Sequence, residues 1–428
     1  MALIVVQGGQ RLEGTVRAYG AKNAVLPILA ATLLPESGAS LLEEVPPLSD
    51  VHHLRGILHA LGLESEDLGD GKLRLDAQHV ESTEAPTELV SKLRASFLVM
   101  GPLLARFGKA RVGMPGGCSI GSRPIDLHIE GFEALGAEVE IHELYIEARA
   151  KNGRLQGARI PLRFASVGAT QNLMMAAVLA EGKTVIENAA KEPEIVDLAN
   201  FLNAMGADVR GAGTATLTIH GVDALHGATH AIIPDRIEAG TFLVAGAITG
   251  GDVLVEGAQS QHLRPVLEKL REAGAVITEE KNALRIVRSG RLRPLDVTTA
   301  VHPGFPTDMQ AQMSAMLAIT PGTSYVTETV FENRLQHFAE LTRMGANVRI
   351  DGRTAVITGV TRLQGADVTA TDLRAGAAMI LAGLVAEGET RIHAIHHIER
   401  GYVDVVERFR ALGAQLCRTE DVRELQMK

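Results

Sequence analysis

Six stretches of the chain are apolar on nearly every face and built mostly from small residues. They read "GAKNAVLPILAATLL", "LVSKLRASFLVMGPLLARFG", "SVGATQNLMMAAVLAEG", "DRIEAGTFLVAGAITGG", "PTDMQAQMSAMLAITPG" and "TDLRAGAAMILAGLVAEG". An apolar stretch with no polar face predicts a helix packed closely on all sides. After each comes a β-rich stretch, such as "KTVIEN", "GDVLVEG" or "TSYVTET", and later an amphipathic helix. Those second helices close on one signature: "HALGLE", "EALGAE", "NAMGAD", "REAGAV", "TRMGAN" and "RALGAQ". A helix ends there, glycine takes the left-handed position just past it, and a strand begins. "GFEALGAEVEI" shows the switch, with a helical apolar face before Gly136 and alternation after it.

The central glycines, Gly62, Gly136, Gly206, Gly274, Gly345 and Gly413, recur at intervals of 68 to 74 residues. Such a period over nearly the whole chain signals an internally duplicated fold, with a unit of buried helix, strand, second helix and strand. Three units can close around their three buried helices, so six predict two similar α/β domains. The buried helices start at Lys22, Arg94, Ser166, Asp235, Asp308 and Asp372. Any one of these reads as a plain helix cap. Six in register suggest helix N-termini gathered for an anion, where partial positive charge collects.

Composition narrows the chemistry. A length of 428 residues asks for two or three domains. Aromatics are 3% and Trp is absent, so the cores are aliphatic and base-stacking platforms are not expected. The net charge of −9 opposes nucleic-acid binding, while local arginines still allow an anionic small substrate. No apolar run approaches the roughly 20 residues of a membrane span. "MALIVVQGGQ" lacks the basic start of a signal peptide. With two cysteines in all, a cytoplasmic protein with reduced thiols and no membrane insertion is expected. No phosphate-binding or dinucleotide glycine loop is found, so no cofactor is implied. His393, His396 and His397 in "HAIHH" lack a matching carboxylate in the sequence pattern and predict no metal site.

One of the two cysteines, Cys118, sits in "MPGGCSIGSRPIDLHIEG", beside two glycines and ahead of Arg123 and Asp126. A thiol near cations has a lowered pKa and can act as acid or nucleophile. Taken alone it reads equally as an incidental loop thiol. Cys417, in the strand pattern after Gly413, reads as a small core residue.

"GAKNAVLPIL", "MPGGCSIGSRPIDLH", "FPTDMQAQ", "VFENR", "TDLRA" and "HIERGY" occur in this order along the chain. Together they resemble the MurA-type enolpyruvyl transferases, the UDP-N-acetylglucosamine 1-carboxyvinyltransferases, within the wider EPSP synthase family. The resemblance covers essentially the whole chain. It implies two inside-out α/β barrel domains, each of three repeats of about 70 residues. It implies that residues 1–21 join 233–428, with 22–232 between them. The implied reaction moves enolpyruvyl from phosphoenolpyruvate to the 3′-hydroxyl of UDP-N-acetylglucosamine and releases phosphate, the first committed step of peptidoglycan synthesis.

The same resemblance assigns residues. Cys118 is the proton donor to phosphoenolpyruvate, can carry an adduct derived from it, and is the target of fosfomycin-type epoxides. Lys22, Arg123 and Arg400, with Arg94 and Arg374 close by, hold the phosphate and carboxylate, and Asn23 bonds the charged intermediate. Asp308 is the general base for the sugar hydroxyl, with a helix cap as its plain alternative. Arg334 is a stabilising ion pair near the ligand. Asp372 and Arg374 hold the closed cysteine loop and the substrate anion. Arg123, Pro124, Ile125, Asp126 and Leu127 read uracil and diphosphate, with Ser166 and Val167 beneath, and Val330 touches the sugar. Phe164 stands where some relatives have lysine. Two other readings remain open at this point: another acceptor alcohol on the same fold, and a silent UDP-sugar-binding regulator.

Overall fold

A computed structural model describes residues 2–116 and 125–420. Contacts divide them into two units, residues 2–19 with 234–420, and residues 20–116 with 125–233.

Each unit has its own set of central helices. In the second these are Lys22–Ala31, the 3-10 turn Arg94–Val99 running into Met100–Phe107, and Val167–Ala177. In the first they are Arg236–Thr249, the turn Thr307–Met309 running into Gln310–Ala318, and Leu373–Val385. The small side chains allow close approach, and burial runs almost unbroken along each, from Ala24 to Ala31 in the first helix.

Around these helices the described residues form six four-stranded sheets of one design. Each has three antiparallel strands and one parallel edge strand, and the outer antiparallel pair is a hairpin in five of them. The edge strand comes from the neighbouring repeat. In residues 20–233, strand Glu84–Ala85 joins Lys109–Gly113, and Arg159–Pro161 joins Lys183–Glu187. Thr229–Ala231 then returns to Ser40–Glu43, so the three repeats form a closed cycle. In the other unit, Val297–Thr298 joins Thr323–Thr327 and Asp367–Thr369 joins Glu389–His393. The cycle closes through the start of the chain. Leu3–Gln7 lies between Glu389–His393 and Gln415–Thr419, and Glu13–Arg17 adds parallel to Asp252–Glu256.

The six signature glycines all have positive φ, between 85° and 102°. Beyond each, the chain turns back into its strand, as when Ala207 N–H bonds Leu202 O at 3.1 Å. The residues just before them, Leu61, Leu135, Met205, Ala273, Met344 and Leu412, are fully buried. The helix end is thus a core contact as well as a turn.

Cys417 is not the small core residue that its strand pattern predicts. It is exposed, because the buried positions of its strand are Leu416 and Thr419. Cys118, Arg123 and Pro124 lie outside the described residues.

Candidate active site

The described site residues predicted for the unit 20–233 stand at or near the starts of its helices. Lys22 opens the first central helix, where Ala21 N–H bonds Ile233 O at 2.7 Å. Its Nζ lies 2.6 Å from Oδ2 of Asp50, and both side chains are largely buried. Asp50 sits in the first turn of Ser49–Ala60, a place where the sequence reads only as a helix start. The next residue, Asn23, is exposed. Arg94, half-buried, begins its 3-10 turn.

Ser166 is a true cap: its Oγ accepts from Ala169 N–H at 3.3 Å, and Val167 starts the helix. Beneath it the structure shows a tie that the sequence did not flag. Asn172 accepts from Gly101 N–H at 2.7 Å, donates to Phe97 O at 3.1 Å, and meets His128 Nδ1 at 3.1 Å. One amide thus joins three helices. Since Asn172 Nδ2 only donates, Nδ1 of His128 accepts and the ring is neutral. Burial, with the charge of Arg94 and against that of Asp126, pushes His128 down to about 3.

Asp126 stands in the first turn of Asp126–Ala134, just after half-buried Ile125, and pairs with Arg163, which also reaches Glu130 at 3.1 Å. The Leu127 side chain is 2% exposed and belongs to the core, which leaves only its backbone for a ligand. Phe164 is 52% exposed.

In the unit 2–19 with 234–420, Asp308 is the centre of a charged cluster. It does not cap its helix: it lies inside the turn Thr307–Met309, whose N-cap Pro306 makes no side-chain bond. Its Oδ1 takes Arg334 Nη2 at 2.6 Å and its Oδ2 takes Arg374 Nη2 at 3.0 Å. Burial alone would raise its pKa, but the two guanidiniums outweigh that and hold the carboxyl far below the usual carboxylate range.

Arg334 is fixed from behind. Its Nη1 donates to Thr307 Oγ1 at 2.9 Å, which donates to Glu328 Oε2 at 2.8 Å. Buried Glu328 also accepts from Thr299 Oγ1, Val330 N–H and Phe331 N–H at 2.8, 2.8 and 3.1 Å. It therefore shapes the whole segment "ETVFENR", including half-buried Val330. Arg374 is 3% exposed, and its Nη1 donates to the Tyr402 hydroxyl at 3.2 Å. Burial works against its charge, but Asp308, with Asp235 adding less, keeps the guanidinium protonated. Asp372 caps the helix, accepting from Arg374 N–H and Ala375 N–H at 2.8 and 3.1 Å. Half-buried Arg400 follows the short helix His396–Glu399.

Of the six polar helix starts, then, Ser166, Asp235 and Asp372 are caps, while Lys22 and Asp308 are held in ion pairs. His393 does have a carboxylate partner, Asp367 at 2.9 Å, which the sequence reading missed. Among the described residues no group of three or more metal-binding side chains occurs. No described helix is long and apolar enough to cross a membrane.

Two cycles of three repeats, with cationic side chains and one doubly clamped carboxylate at helix starts, suit an enzyme that acts on a small anionic substrate. Residues 6–409 match the family described as EPSP synthase (3-phosphoshikimate 1-carboxyvinyltransferase), and the chain belongs to that family. It is 57% identical over 418 residues to UDP-N-acetylglucosamine 1-carboxyvinyltransferase 1 of Halalkalibacterium halodurans, covering 98% of this chain and 94% of the relative. It is 55% identical over 422 residues to the protein of the same name from Staphylococcus aureus, covering 98% of this chain and 100% of the relative. Among solved structures, the enolpyruvyl transferase NikO from Streptomyces tendae superposes with a TM-score of 0.88 at 26% identity, over 98% of this chain and 99% of that one. EPSP synthase from Acinetobacter baumannii shares the fold, with a TM-score of 0.77 at 18% identity over 98% of this chain and 100% of that one.

Proposed function

We propose that this protein transfers the enolpyruvyl group of phosphoenolpyruvate to the 3′-hydroxyl of UDP-N-acetylglucosamine, in the cytoplasm, as the first committed step of peptidoglycan synthesis. The observation that carries the reading is full-length identity of 55–57% to relatives bearing that activity in their names. On this reading the two units are inside-out α/β barrels of three repeats each.

The chemistry is addition followed by elimination. The sugar oxygen attacks C2 of phosphoenolpyruvate while C3 takes a proton; C3 then loses a proton, the C2–O bond to phosphate breaks, and phosphate leaves. Lys22, Arg123 and Arg400, with Arg94 and Arg374, neutralise the phosphate and carboxylate, and Asn23 bonds the intermediate. Cys118 gives the proton to C3, can hold the adduct, and is the thiol a fosfomycin-type epoxide alkylates. Asp126, the backbone at Ile125 and Leu127, and Ser166 and Val167 with Arg123 and Pro124 hold the nucleotide, and Val330 meets the sugar.

Asp308 takes the hydroxyl proton. Both of its oxygens carry guanidinium hydrogen bonds, which suppress its basicity. An anion that draws Arg374 toward itself frees Oδ2 and restores it, so substrate binding itself arms the base. The test is phosphate release from phosphoenolpyruvate with a panel of acceptor alcohols. Release with UDP-N-acetylglucosamine alone is expected; release with a different acceptor, or tight nucleotide-sugar binding without turnover, overturns the reading.

A further inference from the structure

The cluster around Asp308 continues inward from Arg374 to a buried polar knot to which all three central helices of its unit contribute. Tyr402, 3% exposed, meets Thr241 Oγ1 at 2.9 Å and Gln312 Nε2 at 3.4 Å, as well as Arg374 Nη1 at 3.2 Å. Thr241 is on Arg236–Thr249, Gln312 on Gln310–Ala318 and Arg374 on Leu373–Val385.

The directions of these bonds are determined. A guanidinium only donates, so the phenol oxygen accepts from Arg374. Thr241 commits its own proton to Ile237 O at 2.8 Å, so its oxygen can only accept from Tyr402. Gln312 Nε2 donates to both hydroxyl oxygens, at 3.2 and 3.4 Å. The result is a one-way chain from Arg374 N–H through the Tyr402 and Thr241 hydroxyls to a backbone carbonyl. Tyr402 must stay a neutral phenol to complete it, and burial pushes its pKa up.

We propose that Tyr402 is a positioning residue for the transfer reaction, acting through Arg374. A guanidinium has two terminal nitrogens on one plane. With Nη1 held by Tyr402, Nη2 is aimed at Asp308 Oδ2, and rotation about the Nε–Cζ bond is restrained while both bonds stand. Thr241 and Gln312 hold Tyr402 in turn. The knot thus sets where Arg374 stands when an anion claims it, and so how Asp308 is released.

The proposal rests on the function assigned above, and its test separates the two. In Tyr402→Phe, the Nη protons of Arg374, assigned by their loss in Arg374→Lys, should lose slow rotation and exchange with solvent faster. The same should follow in Thr241→Val and not in Thr241→Ser. Turnover should fall about tenfold in Tyr402→Phe while the dissociation constant for UDP-N-acetylglucosamine stays within about twofold, since positioning bears on the reacting geometry. Unchanged Arg374 signals in folded Tyr402→Phe, or a loss of turnover that Thr241→Ser shares with Thr241→Val, overturn the positioning role. If the wild-type protein does not release phosphate at all, the functional reading falls, and the Arg374 signals still decide the role of Tyr402.

Discussion

Arg334 Nη2 and Asp308 Oδ1 meet at 2.6 Å, at a position where the sequence pattern alone supports an ordinary helix cap. Removing one partner of a buried pair leaves the other uncompensated, at up to about 3–5 kcal/mol. Asp308 keeps Arg374 and is about a quarter exposed, so the loss here should be smaller. Arg334→Gln should lower the unfolding free energy by about 2–3 kcal/mol, and roughly half of that should disappear in an Asp308→Asn background. Urea unfolding of the four proteins measures it; full additivity would show that the pair is not coupled.

Asp308→Asn keeps size and removes the proton acceptor. Nucleotide-sugar binding should survive, while phosphate release falls at least ~100-fold, as for loss of a general base. Near-normal turnover would reduce Asp308 to an anchor for its two arginines.

Asp50 has two opposed effects on Lys22. It fixes the Nζ, and it repels an incoming anion. At an effective dielectric of about 20, a like charge roughly 6 Å away costs about 3 kcal/mol before screening. The repulsion acts on binding, and the fixed Nζ acts on the geometry of the reaction. Asp50→Asn should therefore lower KM for phosphoenolpyruvate, by about threefold to tenfold, and lower kcat as well. Steady-state kinetics at fixed ionic strength tests both signs.

His337 is 2% exposed and its Nε2 has no hydrogen-bond partner among the described residues. Burial, with the charge of Arg334 and against that of Asp372, pushes it down to about 4. The folded pKa is below the unfolded one, so the contribution is complete above about pH 6.5 and is lost as pH falls toward 4. In that window stability should drop by ~1.4 kcal/mol per pH unit from this group, and His128 adds in the same sense. Urea midpoints at pH 7 and pH 5 should differ less in His337→Leu than in the wild type.

Much of the fold was legible because its signals are local. An apolar face, a glycine at positive φ and a strand alternation each need only a few neighbouring residues. The substitution of those glycines should be graded by what surrounds them. At Gly345, with φ +90° and open space, alanine should cost about 1 kcal/mol of strain. At Gly62, with φ +100° and His79 O 2.7 Å from an added Cβ, it should cost about 2 kcal/mol or more.

What the sequence hid is short or distant. The edge strands Glu84–Ala85 and Val297–Thr298 are two residues long, too few to show a period. Asp50, Asn172, Glu328 and Tyr402 gain their roles from partners elsewhere in the chain, Asn172 from Gly101 and Tyr402 from Thr241. Asp308 reads as a cap because Asp before a helix usually is one. Only three-dimensional contact with Arg334 and Arg374 shows otherwise.

The strand Leu3–Gln7 has its pairing partners at Glu389–His393 and Gln415–Thr419. On the ribosome, that apolar strand is made before either partner and waits unpaired while residues 8–388 follow it. Residues 20–233 can meanwhile complete their own cycle of sheets, because every strand of it is already present. Synthesis at about 5–20 residues per second leaves the early strand exposed for tens of seconds. The unit it completes is therefore the later to fold, and the strand's length of five residues limits what it can pair with in the meantime.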